Sequence, residues 1–220
     1  MSIELKKRFF TSIFLIALLV AMYIYPFVMI ISLIIIGVIT WIEFYALISK
    51  IIISNTLKSK FLRFLFKATS LIYLSLLIFF IIVIESYYIN LKLYFLYTLL
   101  VAIFSDVGGI VFGKFFKGKK LTKISPNKTI SGSIGSFVLP FLLIPFFYSE
   151  LIKYDSLTLI MITIFISLTT QLGDLFISYL KRKAKVKHTS NILPGHGGFL
   201  DRIDGIIFAI PVGILLFNFI

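Results

Sequence analysis

From Phe9 to Ile48 the chain carries a single charged residue, Glu43. A water-soluble domain cannot surface such a run, and at roughly 20 mostly apolar residues per crossing it holds two membrane helices. Tyr23, Tyr25 and Pro26 supply an interfacial turn between them. Further apolar runs at about 68–84, 93–113, 130–148, 157–180 and 203–220 bring the expected spans to seven. Composition agrees: 60% of the 220 residues are hydrophobic, 14% are charged, and the mean hydropathy is +1.08. That leaves too few polar groups to cover a soluble surface, which excludes a soluble globular enzyme and a disordered tail. The absence of cysteine excludes a disulfide-stapled secreted module, thiolate metal sites and thiol catalysis. The expected fold is an all-α integral membrane protein, a polytopic bundle of about seven transmembrane helices. Residues 1–92 would form about three N-terminal spans, and 93–220 a catalytic region with basic loops. No small-residue cleavage motif follows the first apolar run, so it is read as a retained span.

The net charge of +13 is distributed by side rather than pooled for nucleic acid. Basic residues precede the first span (Lys6, Lys7, Arg8) and fall between spans two and three (Lys50, Lys58, Lys60, Arg63, Lys67). They recur between spans four and five (Lys114 to Lys128) and between spans six and seven (Lys181 to Arg202). Seven spans put all four groups on one face, leaving only Lys92 and Lys153 opposite. The positive-inside rule then places the N-terminus in the cytoplasm and the C-terminus outside. The expectation is a multi-pass membrane protein with its basic loops on the cytoplasmic side.

Carboxylates inside spans are costly and mark function by default. Asp106 and Asp174 each lie about 10 Å from the cytoplasmic end of a span, at ~1.5 Å rise per residue. Asp201 and Asp204 open the last span, and a spacing of three puts them on one face of a helix. Carboxylates beside basic loops suit a metal-assisted phosphate reaction, because hard oxygen donors select Mg²⁺ and Lys or Arg neutralises the remaining phosphate charge. Gly108, Gly109, Gly113, Gly195, Gly197 and Gly198 would let backbone amides approach a ligand. Helix capping by Asp201 and Asp204, helix–helix hydrogen bonding by Asp106 and a structural hydrogen bond from His196 stay open as alternatives. Glu43 beside Trp41 reads as structural, and His188 as solvated.

The run Ser178-Tyr-Leu-Lys181-Arg182, then Lys187, then Leu193-Pro-Gly-His196-Gly197-Gly198-Phe-Leu-Asp201-Arg202-Ile-Asp204 resembles the signature of the phosphatidate cytidylyltransferases, or CDP-diacylglycerol synthases. Two further blocks resemble the same family: Asp106-Val-Gly-Gly-Ile-Val-Phe-Gly113-Lys114 with Ser125-Pro126-Asn-Lys128-Thr129, and Gly173-Asp174-Leu175-Phe176. The resemblance covers about residues 100–210. It implies transfer of CMP from CTP to phosphatidate, with Mg²⁺ on Asp174 and Asp201 and room for a second metal or a monovalent cation. It also implies catalytic roles for Asp174, Asp201, Lys181 and Arg202. Substrate contacts would come from Asp106, Ser125, Lys128, Thr129, Arg182, His196, Gly197, Gly198 and Asp204. The implied partners are CTP, phosphatidate and membrane lipid, with no nucleic acid; a homodimer is left open. Ser131, Ile177 and His188 stand where the family usually carries acidic residues. A CTP-dependent lipid-alcohol kinase, releasing CDP, and a proton-coupled transporter are the alternatives.

Overall fold

The computed structural model describes residues 3–87, 89–151, 153–195 and 197–219, with no side-chain description for 3–8, 85–87 and 89–90. The elements are α1 (Ile3–Ile24), α2 (Pro26–Ile51), α3 (Leu57–Tyr87), α4 (Ile89–Phe116), α5 (Ile130–Val138), a 3₁₀ turn (Leu139–Leu143), α6 (Ile144–Phe147), α7 (Ser156–Lys183), α8 (Leu200–Ile203) and α9 (Ile206–Phe219). Among the described residues the only extended pairing is two isolated bridges, Lys120 with Thr129 and Leu193 with Gly197. Five stretches are long and apolar enough to cross a membrane: Pro26–Ile51, Leu57–Ile84, Leu91–Phe116, Ile130–Phe147 and Ser156–Lys183. The apolar helices Phe9–Ile24 and Ile206–Phe219 are shorter.

The chain divides into two compact units, Met1–Tyr87 with Leu180–Ile203, and Tyr88–Tyr179 with Asp204–Ile220. In the first, α2 starts on Pro26 at its first helical position, where the missing N–H costs nothing and the fixed φ is already helical. α3 begins well before the apolar run that predicts it. Lys58, Lys60, Arg63 and Lys67 therefore ride on its first turns rather than on a loop. Two contacts stabilise that extension. Arg63 Nη2 donates to Ser54 O at 2.9 Å, and the Lys67 ammonium sits 3.2 Å over the Tyr45 ring, a cation–π contact that lets a charge stand against an apolar helix. Trp41 Nε1 donates to Lys67 O at 3.2 Å, joining α2 to α3.

The second unit holds the larger core. Tyr97, Val101, Leu159, Ile162, Ile166, Ala209 and Phe217 are buried together. The Tyr94 and Phe217 rings stack at 4.6 Å, and Tyr97 meets Phe217 edge-on at 5.7 Å. Tyr97 and Thr163 share a buried hydroxyl hydrogen bond of 2.7 Å, the kind of interhelical polar contact that averages about 0.6 kcal/mol in membranes.

Lipid tails are as apolar as leucine, so close backbone packing does much of the joining between membrane helices. α4 and α5 meet in this way. A Cβ on Gly132 would stand 2.7 Å from Gly109 O, and one on Gly108 would strike the Gly135 carbonyl. Gly108 and Gly109 of the Asp106 block thus lie in a close helix–helix contact. The span expected at about 130–148 is built from α5, a 3₁₀ turn and α6. Pro140 and Pro145 each remove an interior N–H, which breaks the ladder.

Candidate active site

Each unit presents its own carboxylate–lysine arrangement. In the first unit the signature run after α7 is a loop that returns on itself: Leu193 N donates to Gly197 O at 2.8 Å, and Gly197 N to Leu193 O at 3.1 Å. Gly197 has φ of 88°, a left-handed conformation that only glycine adopts cheaply. Thr11 of α1 donates to Pro194 O at 2.9 Å and ties the loop to that helix.

Asp201 lies in α8 with a side chain only 6% exposed. Lys181 Nζ, from the last turn of α7, reaches its Oδ1 at 2.7 Å. Its Oδ2 accepts the backbone N–H of Thr189 at 3.0 Å and of Gly198 at 3.1 Å, and His188 Nδ1 stands 3.6 Å away. Burial pushes the Asp201 carboxyl up, but the Lys181 ammonium and the two amides outweigh it and hold it below the usual carboxylate range. Arg182 and Arg202 are exposed, at the end of α7 and in α8. His196 falls outside the described residues. Gly197 and Gly198 are bare for a reason local to the protein. A Cβ on Gly197 would sit 2.8 Å from Asp201 Oδ2, and one on Gly198 would strike Thr189 Oγ1 and the Glu43 carboxylate.

Glu43 is what sequence reasoning missed. It sits in α2, 2% exposed, and accepts four hydrogen bonds from the signature loop. Oε1 takes Ser190 Oγ at 2.6 Å and Phe199 N at 3.1 Å; Oε2 takes Thr189 Oγ1 at 2.8 Å and Leu200 N at 2.8 Å. Its signal was present, since a lone acid in an apolar span marks a site by default. Its partners lie more than a hundred residues along the chain, so the contacts themselves were not legible.

In the second unit Asp174, in α7, pairs with Lys128 and accepts Ser178 Oγ at 3.2 Å. Lys128 comes from the turn between α4 and α5. That turn closes through Lys128 N to Ser125 O at 3.1 Å and Leu121 N to Lys128 O at 2.8 Å. Thr129 caps α5, its Oγ1 accepting Gly132 N–H at 3.1 Å. Ser131 bonds the Lys117 carbonyl and Thr129 Oγ1, and Ile177 is buried core. Neither position holds a carboxylate. Asp106 lies half-buried in α4. Asp204 is 6% exposed but not on a helix with Asp201: α8 ends at Ile203, and Asp204 lies in the turn before α9, its Oδ1 accepting Gly205 N–H at 3.1 Å. The turn forms because Gly205 presses on Thr170, where a Cβ would stand 2.8 Å from the Thr170 carbonyl oxygen.

Among the described residues no three His, Cys, Asp or Glu side chains gather as a metal group. Protein cages of that kind are not what Mg²⁺ uses. It takes one or two carboxylates and fills its shell with water and substrate phosphate. Asp174 and Asp201 are hard oxygen donors, each held beside an ammonium group, and so fit that chemistry.

A family model described as the cytidylyltransferase family matches residues 2–220. Among curated proteins, the chain is 44% identical over 130 residues to a phosphatidate cytidylyltransferase of Rickettsia bellii, covering 56% of this chain and 54% of that protein. It is 42% identical over 120 residues to one of Bacillus subtilis, covering 54% and 45%. It is 41% identical over 122 residues to one of Staphylococcus haemolyticus, covering 54% and 46%. The chain thus matches about half the length of these curated relatives.

Proposed function

We propose that this chain, which belongs to the cytidylyltransferase family, transfers CMP from CTP to phosphatidate to give CDP-diacylglycerol and pyrophosphate. The observation that carries the reading is the pairing of a lysine with a carboxylate among the family-like blocks, Lys181 with Asp201 and Lys128 with Asp174. In the reaction an oxygen of the phosphatidate monoester forms a bond to the α-phosphorus of CTP. The α–β anhydride bond breaks, and pyrophosphate leaves with the electron pair. Two anions must be brought together, so neutralising charge is the main task. The monoester is already ionised near neutral pH, and no strong general base is needed.

Lys128, Lys181, Arg182 and Arg202 bind phosphate oxygens in this reading, with Ser125, Thr129, His196 and the loop at Gly197 and Gly198 helping to orient the substrates. Asp174 and Asp201 are the proposed ligands of Mg²⁺, with Asp106 and Asp204 in support. When bound, the metal supplies charge neutralisation at the α-phosphate. Lys128 and Lys181 hold both carboxylates in place and exchange them for phosphate when substrate arrives. Seven crossings, a cytoplasmic N-terminus and a site on the inner face of a bacterial inner membrane complete the proposal, supported by the one-sided distribution of Lys and Arg.

The test is purified protein with labelled CTP, phosphatidate and Mg²⁺, both products identified. CDP-diacylglycerol with pyrophosphate is expected. CDP with a phosphorylated lipid alcohol would move the chain to a kinase, and no nucleotide turnover would remove the enzymatic reading. Single cysteines placed in this cysteine-free chain report sidedness, and positions 128 and 187 should react from the cytoplasm only.

A further inference from the structure

Glu43 is the one charge between Phe9 and Ile48, and the reaction as proposed gives it nothing to do. A carboxylate has room for about four hydrogen bonds, and this one receives four, all from the signature loop. The donors come in two pairs. Thr189 and Ser190 precede the Leu193–Gly197 bridge; Phe199 and Leu200 follow it. None is cationic, so what the carboxylate gains is geometry rather than charge neutralisation, and a buried carboxylate missing those donors would be costly.

The same loop ends hold Asp201. Thr189 gives its hydroxyl to Glu43 and its backbone N–H to Asp201. Gly198 gives its N–H to Asp201, while the next two amides go to Glu43. Gly198 lacks a side chain where one would collide with Glu43. The amides that fix Asp201 are thus placed by residues that Glu43 fixes.

We propose that Glu43 is a positioning residue of the transfer reaction: by closing the signature loop at both ends it sets the two amides that hold the Asp201 carboxylate. This rests on the functional reading above. Gln cannot replace Glu without loss, because on either side its NH₂ would face a backbone N–H, Phe199 or Leu200, that can only donate. Asp is one methylene too short to reach both loop ends.

The test uses the absence of cysteine. A nitroxide on Asn191→Cys, an exposed position in the loop, reports loop order by its line width. In the parent the label should be ordered. In Glu43→Gln it should become mobile, and kcat should fall roughly 10–100-fold, the usual cost of losing a group that orients a metal ligand. KM for CTP should change less than kcat. Thr189→Val keeps the N–H and loses the hydroxyl, so it removes one clamp bond without touching Glu43. It should give an intermediate spectrum and kcat, and combined with Glu43→Gln it should add little. It also keeps the proposal testable if Glu43→Gln fails to fold. An ordered label in Glu43→Gln, or a mobile one with the parental kcat, overturns the positioning role. A parent with no transferase activity overturns the functional reading instead, and the label then still decides whether Glu43 closes the loop.

Discussion

Asp201 and Asp174 carry the same functional group and each faces a lysine, yet the two units hold them differently. Asp201 is 6% exposed, with its oxygens shared among an ammonium and two backbone amides. Asp174 is 23% exposed and relies on two side chains, Lys128 and Ser178. Backbone donors cannot swing away, whereas a lysine on a four-carbon stem can. One carboxylate is therefore fixed before any ligand arrives, and the other is free to change partners.

The largest expected effect tests what the two share. Asp201→Asn and Asp174→Asn should each lower CDP-diacylglycerol formation by roughly 10²–10³-fold, the scale of losing a group that stabilises transition-state charge. Near-normal turnover in either would remove that residue from the proposed metal ligands. Stability should separate them. Lys181→Ala leaves a buried carboxylate without its cation and should cost about 3 kcal/mol, read as a fall in the detergent-solubilised melting temperature. Lys128→Ala, at a more exposed pair, should cost about 0–1 kcal/mol. Equal losses would erase the distinction.

Acid should act on the fixed carboxylate in a defined direction. The folded Asp201 carboxyl lies below its usual range, so the unfolded chain, near pKa ~3.9, takes the proton first. Its stabilisation is complete above that value and is lost as the pH falls through the folded pKa. The melting-temperature gap between the parent and Asp201→Asn should hold at pH 5 and above and narrow below about pH 4. The smallest effect is that of salt. Going from 0.1 to 1 M shortens the screening length from about 10 to about 3 Å, and should erase the difference between the parent and Lys128→Ala while leaving most of that for Lys181→Ala.

Much of this was legible because membrane cost is written residue by residue. The all-helical class follows from the apolar runs, and Asp174 and Asp201 stood out as charges beside lipid, while Lys128 and Lys181 were marked only by the family resemblance. Legibility failed where one local rule met a competing contact. Lys67 looked like a loop residue until Tyr45 and the α3 backbone gave it a place on a helix. Asp201 and Asp204 looked like neighbours on a helix until Gly205, packed on Thr170, turned the chain. Glu43 looked structural because its four donors lie in a loop remote in sequence.

The glycine seam between α4 and α5 has a mechanical consequence. Where main chain abuts main chain there is no rotamer to flip and no side chain to repack, so the two helices behave as one strut. The turn slung between them, which ends in Lys128 and Thr129, inherits that stiffness. If Lys128 receives phosphate as proposed, the movement that admits it is the swing of a single ammonium arm, with the scaffold that bears it standing still.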